Sequence, residues 1–118
     1  MRVLLDVCTP VQVRHALPKH EVRTAVKMGW GALGNGDLLR AAEAEGFDLF
    51  TICDKNLRHQ QNLAGRKLSI LELWTNHRPT LERHFPLIRQ AAEAMKPGEY
   101  RTLSAPSIDE NNQHIMIC

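Results

Sequence analysis

Four stretches of the chain carry the short, apolar signature of strands, and the segments between them place apolar residues at helical spacing. Val3-Leu4-Leu5 is the first, and it ends at Asp6. Thr9 is positioned to cap a helix with Pro10 at its first position, and that helix is expected to reach Leu17, where Pro18 stops it. Glu21 to Val26 reads as a second strand, with β-branched residues at alternate positions. A glycine-punctuated loop then runs from Gly29 through Gly31 and Gly34 to Gly36. Asp37 to Glu45 predicts a helix with Leu38, Leu39, Ala41 and Ala42 on its apolar side and Gly46 as its C-cap.

Phe47 to Cys53 is nearly unbroken apolar sequence, as expected for a strand covered on both faces, and it ends at Asp54. Asn56 to Asn62 reads as a short helix and Leu68 to Leu73 as a fourth strand. From Pro79 onward, Leu81, Phe85, Ile88, Ala92 and Met95 recur at helical spacing, with a kink or restart expected at Pro86 and an end at Pro97-Gly98. After Tyr100 the chain turns polar. Residues 1–103 therefore read as one domain and 104–118 as a loosely ordered tail, in which Ile115, Met116 and Ile117 dock locally. No internal repeat or linker is evident.

Strand and helix alternate throughout, which predicts an α/β fold with a mostly parallel sheet and helices on both faces. Ligands in such sheets collect beyond the carboxyl ends of the strands. Asp6 and Asp54 each stand where a strand ends, and Asp37 opens a helix. If the first and third strands are neighbours, Asp6 and Asp54 converge. Three carboxylates in one cleft repel one another unless a divalent cation neutralises them. Oxygen-only ligands select Mg²⁺ or Mn²⁺ over zinc, and such an ion can activate water for phosphodiester cleavage. The alternative is that Asp37 is a first-turn acid favoured by the helix dipole, with Asp6 and Asp54 as caps of the helices that follow them.

Composition narrows the classes without choosing among them. The chain has 118 residues, enough for one domain, with 43% hydrophobic and 24% charged residues and a formal net charge of +2. That charge permits nucleic-acid contact without indicating it. Three cysteines with no CxxC pair argue against a disulfide scaffold and suit a reducing cytoplasm. No apolar run is long enough to span a membrane, and the start of the chain is not expected to be a signal peptide.

Other residues carry weaker chemistry. Lys55, Asn56 and Arg58 follow Asp54: Lys55 and Arg58 suit a phosphate backbone and Asn56 a metal-bound water, or else the three solvate a helix start; Arg14 is a further candidate for the same face. Gly29, Gly31 and Gly34 satisfy the spacing of a dinucleotide-binding turn, but Lys27 and Met28 separate it from the strand end, so a glycine loop is the better reading. Cys8 and Cys53 read as buried apolar thiols, and none of His15, His20, His59, His77, His84 or His114 has zinc spacing. Trp30 and Trp74 read as core or interface aromatics.

Several segments together resemble the small PIN-like family known as domain of unknown function DUF5615: Val3-Leu4-Leu5-Asp6; Gly29-Trp30 followed by Asn35-Gly36-Asp37-Leu38-Leu39; Thr51-Ile52-Cys53-Asp54-Lys55-Asn56-Leu57; and Gln60 to Arg66. The similarity runs in order from Met1 to about Arg101. It implies a three-layer α/β/α fold related to PIN-domain ribonucleases and to toxins of toxin–antitoxin pairs. It also implies an RNA substrate, a small DNA-binding antitoxin-like partner and a homodimer. By position it carries the metal-binding and catalytic acids to Asp6, Asp37 and Asp54. The chain departs from the family at the first strand end, where Val7 and Cys8 replace an acid and an amide beside Asp6. That loss leaves a second expectation open, a catalytically silent protein that binds a partner or RNA.

Overall fold

The computed structural model describes residues 1–53 and 66–104, together with the backbone of 107–108 and 114–115. Five parallel strands form one sheet: β1 (Arg2–Leu5), β2 (Glu21–Thr24), β3 (Leu49–Ile52), β4 (Ser69–Glu72) and β5 (Tyr100–Thr102), in the order β2-β1-β3-β4-β5. The α/β expectation holds, with a fifth strand added. β5 pairs with β4 in the register Ile70 to Tyr100 and Glu72 to Thr102. Beyond it, β6 (Ser107–Ile108) and β7 (His114–Ile115) pair antiparallel as a separate two-stranded unit. Met116 and Ile117 lie outside the described residues, as does the expected helix Asn56–Asn62.

Alternation along the strands divides the core between two faces. Val3, Leu5, Leu49 and Leu71 pack with Val13, Ala16 and Leu17 and with Leu81, Ile88 and Ala92. Leu4, Phe50, Ile52 and Ile70 pack on the other side with Leu38, Leu39, Ala42 and Phe47. The three middle strands are thus buried on both faces, which explains their unbroken apolar runs.

The helix α1 (Asn35–Ala44) supplies Leu38, Leu39 and Ala42 to that second cluster. It begins two residues before Asp37 because the Gly34 carbonyl already accepts the Leu38 N–H, at 2.9 Å. It ends as the glycine predicts. Gly46 takes a φ of +80°, its N–H bonds the Glu43 carbonyl, and Phe47 N–H bonds the Ala42 carbonyl, the paired bonds of a Schellman stop.

The first helix is a correction. A 3₁₀ helix (Val11–Ala16) forms in place of an α-helix from Thr9 to Leu17, and Pro10 precedes it. Thr9 caps nothing there; its hydroxyl instead donates to the Thr51 carbonyl of β3, at 3.1 Å. With that capping oxygen diverted, the segment closes through short i to i+3 bonds such as Leu17 N–H to Arg14 O. The break expected at Pro86 is present: α2 (Arg78–Arg83) and α3 (Phe85–Ala94) meet at His84, with Pro86 in the first turn of α3.

Candidate functional site

The sheet order reverses direction between β1 and β3, since β2 lies on one side of β1 and all later strands lie on the other. In open parallel sheets this reversal opens a crevice at the carboxyl edge. Asp6 stands at that place. Its backbone N–H donates to Thr51 O at 3.0 Å, continuing the β1–β3 ladder, and its own carbonyl accepts the Thr9 N–H at 3.0 Å to close a four-residue turn. Asp6, half-buried, is therefore held by its backbone at the end of β1, against β3.

Cys53 follows β3 directly. Its thiol donates to the Thr75 carbonyl at 3.3 Å, and the Thr9 hydroxyl lies 3.7 Å from its sulfur. Burial pushes the thiol up to about 11; the charge of Asp6 acts in the same direction, while the Thr9 contact opposes it. A thiol so raised is protonated near neutral pH and is no resting nucleophile. Thr51 is wholly buried, and among the described residues nothing bonds its hydroxyl.

Asp37 reaches the same edge by topology. The Arg2 guanidinium bonds the Glu45 carbonyl, which places the end of α1 beside the start of β1. A helix of ten residues climbs about 15 Å, close to the rise of a four-residue strand, so the first turn of α1 stands at the level of the strand ends. The Asp37 carboxylate is exposed and paired with Arg40 one turn on. Asp54, Lys55, Asn56 and Arg58 lie outside the described residues. Among the described residues no three His, Cys, Asp or Glu side chains gather as a metal set.

The remaining candidates have places and partners of their own. Arg14 is exposed on the 3₁₀ helix. His20 bonds Glu93 at 2.8 Å and His77 bonds the Thr80 hydroxyl at 2.8 Å, while His84 meets the Trp74 ring edge-on at 5.7 Å. Trp30 likewise meets Phe47, at 6.1 Å. Gly29, Gly31 and Gly34 lie between the edge strand β2 and α1, and of the three only Gly29 has a positive φ. The expectation that both thiols are buried is corrected at Cys8, which is exposed because the turn after β1 lifts it off the sheet.

Glu72 escaped the sequence reading. It ends β4, is only 2% exposed, and accepts a hydrogen bond from the Tyr100 hydroxyl at 2.5 Å. A signal was present: in Leu68, Ile70, Glu72 the acid takes the third place of an apolar alternation.

Compared with family models, with curated proteins and with solved structures, the chain matches none. No helix among the described residues is long and apolar enough to cross a membrane.

Proposed function

We propose that this chain is a Mg²⁺- or Mn²⁺-dependent endoribonuclease of the PIN-like type, acting in the cytoplasm as the toxin of a toxin–antitoxin pair. The observation that supports this reading is the position of Asp6, at the carboxyl end of β1 where the sheet order reverses.

In this reading Asp6, Asp37 and Asp54 hold the ion, and their hard oxygen donors suit those metals. The ion, when bound, supplies Lewis acidity to the scissile phosphodiester and lowers the pKa of water. Asp6 is held in place by its own backbone bond to Thr51 and by the turn closed at Thr9. Asp37 has to give up Arg40. That exposed pair is worth only about 0–1 kcal/mol, so its loss is a small cost against a divalent cation. Lys55 and Arg58 hold the RNA backbone and Asn56 bonds a water of the site, and a small DNA-binding antitoxin-like protein is the partner, with a homodimer as the assembly.

Calorimetric titration with Mn²⁺ tests this on the wild type, Asp6→Asn and Asp54→Asn. Micromolar binding that both substitutions remove is the expected result, and a wild type that binds no Mn²⁺ overturns it.

A second reading rests on Val7 and Cys8, both exposed in the turn beside Asp6. With an apolar residue and a thiol presented there, the protein acts by binding a partner or RNA without turnover. A wild type that binds RNA but no Mn²⁺ would favour it.

A further inference from the structure

Most arginines of this chain are neutralised where they stand. Arg2, Arg23, Arg40, Arg66, Arg78 and Arg101 each form an ion pair with a carboxylate. Arg14, Arg83 and Arg89 are exposed, and among the described residues none of them has a carboxylate within 4.0 Å. Their positions are not scattered. Arg14 lies on the 3₁₀ helix, Arg83 on α2 and Arg89 on α3. These elements pack side by side on one face of the sheet, where Val13, Ala16 and Leu17 meet Leu81, Ile88 and Ala92. By contrast, Arg40 and Arg66 pair with Asp37 and Glu43 of α1, which covers the opposite face.

Where α2 meets α3, an open groove of about 510 Å³ is lined by Arg83, His84, Leu87, Arg89, Gln90 and Glu93. Its acid, Glu93, pairs with His20 at 2.8 Å and not with Arg89 one turn earlier. That bond also ties the segment carrying Lys19 to α3. A guanidinium without a protein partner keeps its fork of donors for a ligand, and the fork matches a phosphate through two parallel hydrogen bonds. Cations spread over adjoining elements suit a repeating polyanion better than one small anion. We infer that this groove binds the phosphodiester backbone of single-stranded RNA, with Arg83 and Arg89 on its phosphates and Arg14 extending the track.

Contacts to phosphate fix position and carry no base code, so binding is expected to be independent of sequence. α2 follows the carboxyl end of β4, and α3 leads back to the start of β5. The track therefore begins on the side of this face nearer the carboxyl edge, and a strand lying on it is led towards Asp6. The choice of RNA rests on the ribonuclease reading, whereas the binding itself needs no metal and none of Asp6, Asp37 or Asp54.

The test is fluorescence anisotropy of a labelled oligouridylate of about 12 nucleotides, within the usual range of single-strand sites. It is titrated with the whole chain in EDTA, at about 50 to 200 mM salt. Arg83→Gln and Arg89→Gln are each expected to weaken binding about five- to tenfold at the lowest salt. Each should also lower the slope of log K against log salt by about 0.7. Glu93→Gln removes the negative charge of the groove and is expected to tighten binding. All three side chains are exposed, and circular dichroism checks that the variants stay folded.

A wild type that binds no oligouridylate overturns the inference. So does unchanged affinity and slope in the Arg83→Gln/Arg89→Gln double variant, whatever Lys55→Gln/Arg58→Gln does. Polyglutamate that binds as tightly as the RNA, and weakens with the same two substitutions, overturns it in favour of an acidic partner. Mn²⁺ titration separates the two readings: a wild type that binds RNA through these arginines but takes up no Mn²⁺ upholds the groove while the nuclease reading fails.

Discussion

Tyr100 donates its hydroxyl to the Glu72 carboxyl at 2.5 Å, across the β4–β5 pair, and both residues are drawn into the sheet by that register. A buried carboxyl that loses a donor keeps its desolvation cost without the compensating bond. Tyr100→Phe should therefore destabilise by about 1–3 kcal/mol, read as a lower urea midpoint at unchanged slope. A midpoint equal to wild type would mean that this bond contributes nothing net.

Gly98 has a φ of +79°, and a Cβ there would lie 2.6 Å from the Arg66 carbonyl oxygen. Both strain and a backbone clash oppose any side chain. Gly98→Ala should cost about 1–3 kcal/mol, whereas Gly34→Ala, with nothing within 4 Å of its Cβ, should be far milder. Thermal unfolding of the two variants side by side gives the comparison.

The Cys53 thiol is raised in the folded chain from 9.0 to about 11. The sign follows from proton counting: above pH 9 the unfolded chain releases this proton while the folded chain keeps it, so the unfolded state gains. The contribution is complete below pH 9 and is lost as pH rises through about 11. The melting temperature of the wild type should fall more steeply over this range than that of Cys53→Ala. Parallel slopes would rule out the burial effect.

Acid acts in the opposite direction at Glu99 and Glu93. The Lys96 backbone N–H, with Arg101 beside it, holds the Glu99 carboxyl below its ordinary range, and the His20 hydrogen bond does the same for Glu93. Depressed carboxyls stabilise above the unfolded value of 4.5 and lose that contribution as pH falls through the folded one. Glu99→Gln should flatten the loss of stability between about pH 5 and pH 3, followed by fluorescence-detected unfolding. An unchanged acid limb would count against it.

The central strands were legible because each is an apolar run covered on both faces, so Phe47 to Cys53 and Leu68 to Leu73 contain β3 and β4 with a residue or two to spare at each end. β5 was not legible, since Tyr100-Arg101-Thr102 is short, half-buried and interrupted by a charge, which is what an edge position tolerates. The 3₁₀ segment was misjudged for a non-local reason: the preferred partner of the Thr9 hydroxyl is 42 residues away, on β3. At the carboxyl edge, the placing of Asp6 followed from strand order alone. Its closeness to Cys53 depends on register, which periodicity does not reveal.

An all-parallel sheet also governs how the chain reaches this state. Arg2 and Glu21, the nearest paired residues of β1 and β2, are 19 positions apart, and Val3 and Leu49, which join β1 to β3, are 46 apart. No strand pair of this five-stranded sheet can form as a hairpin, so every ladder bond in it waits on the closing of a long loop. Refolding should therefore be slow for a chain of this length, and substitutions at the β1–β3 seam, Leu5 or Thr51 among them, should act on the folding rate where loop changes act on unfolding.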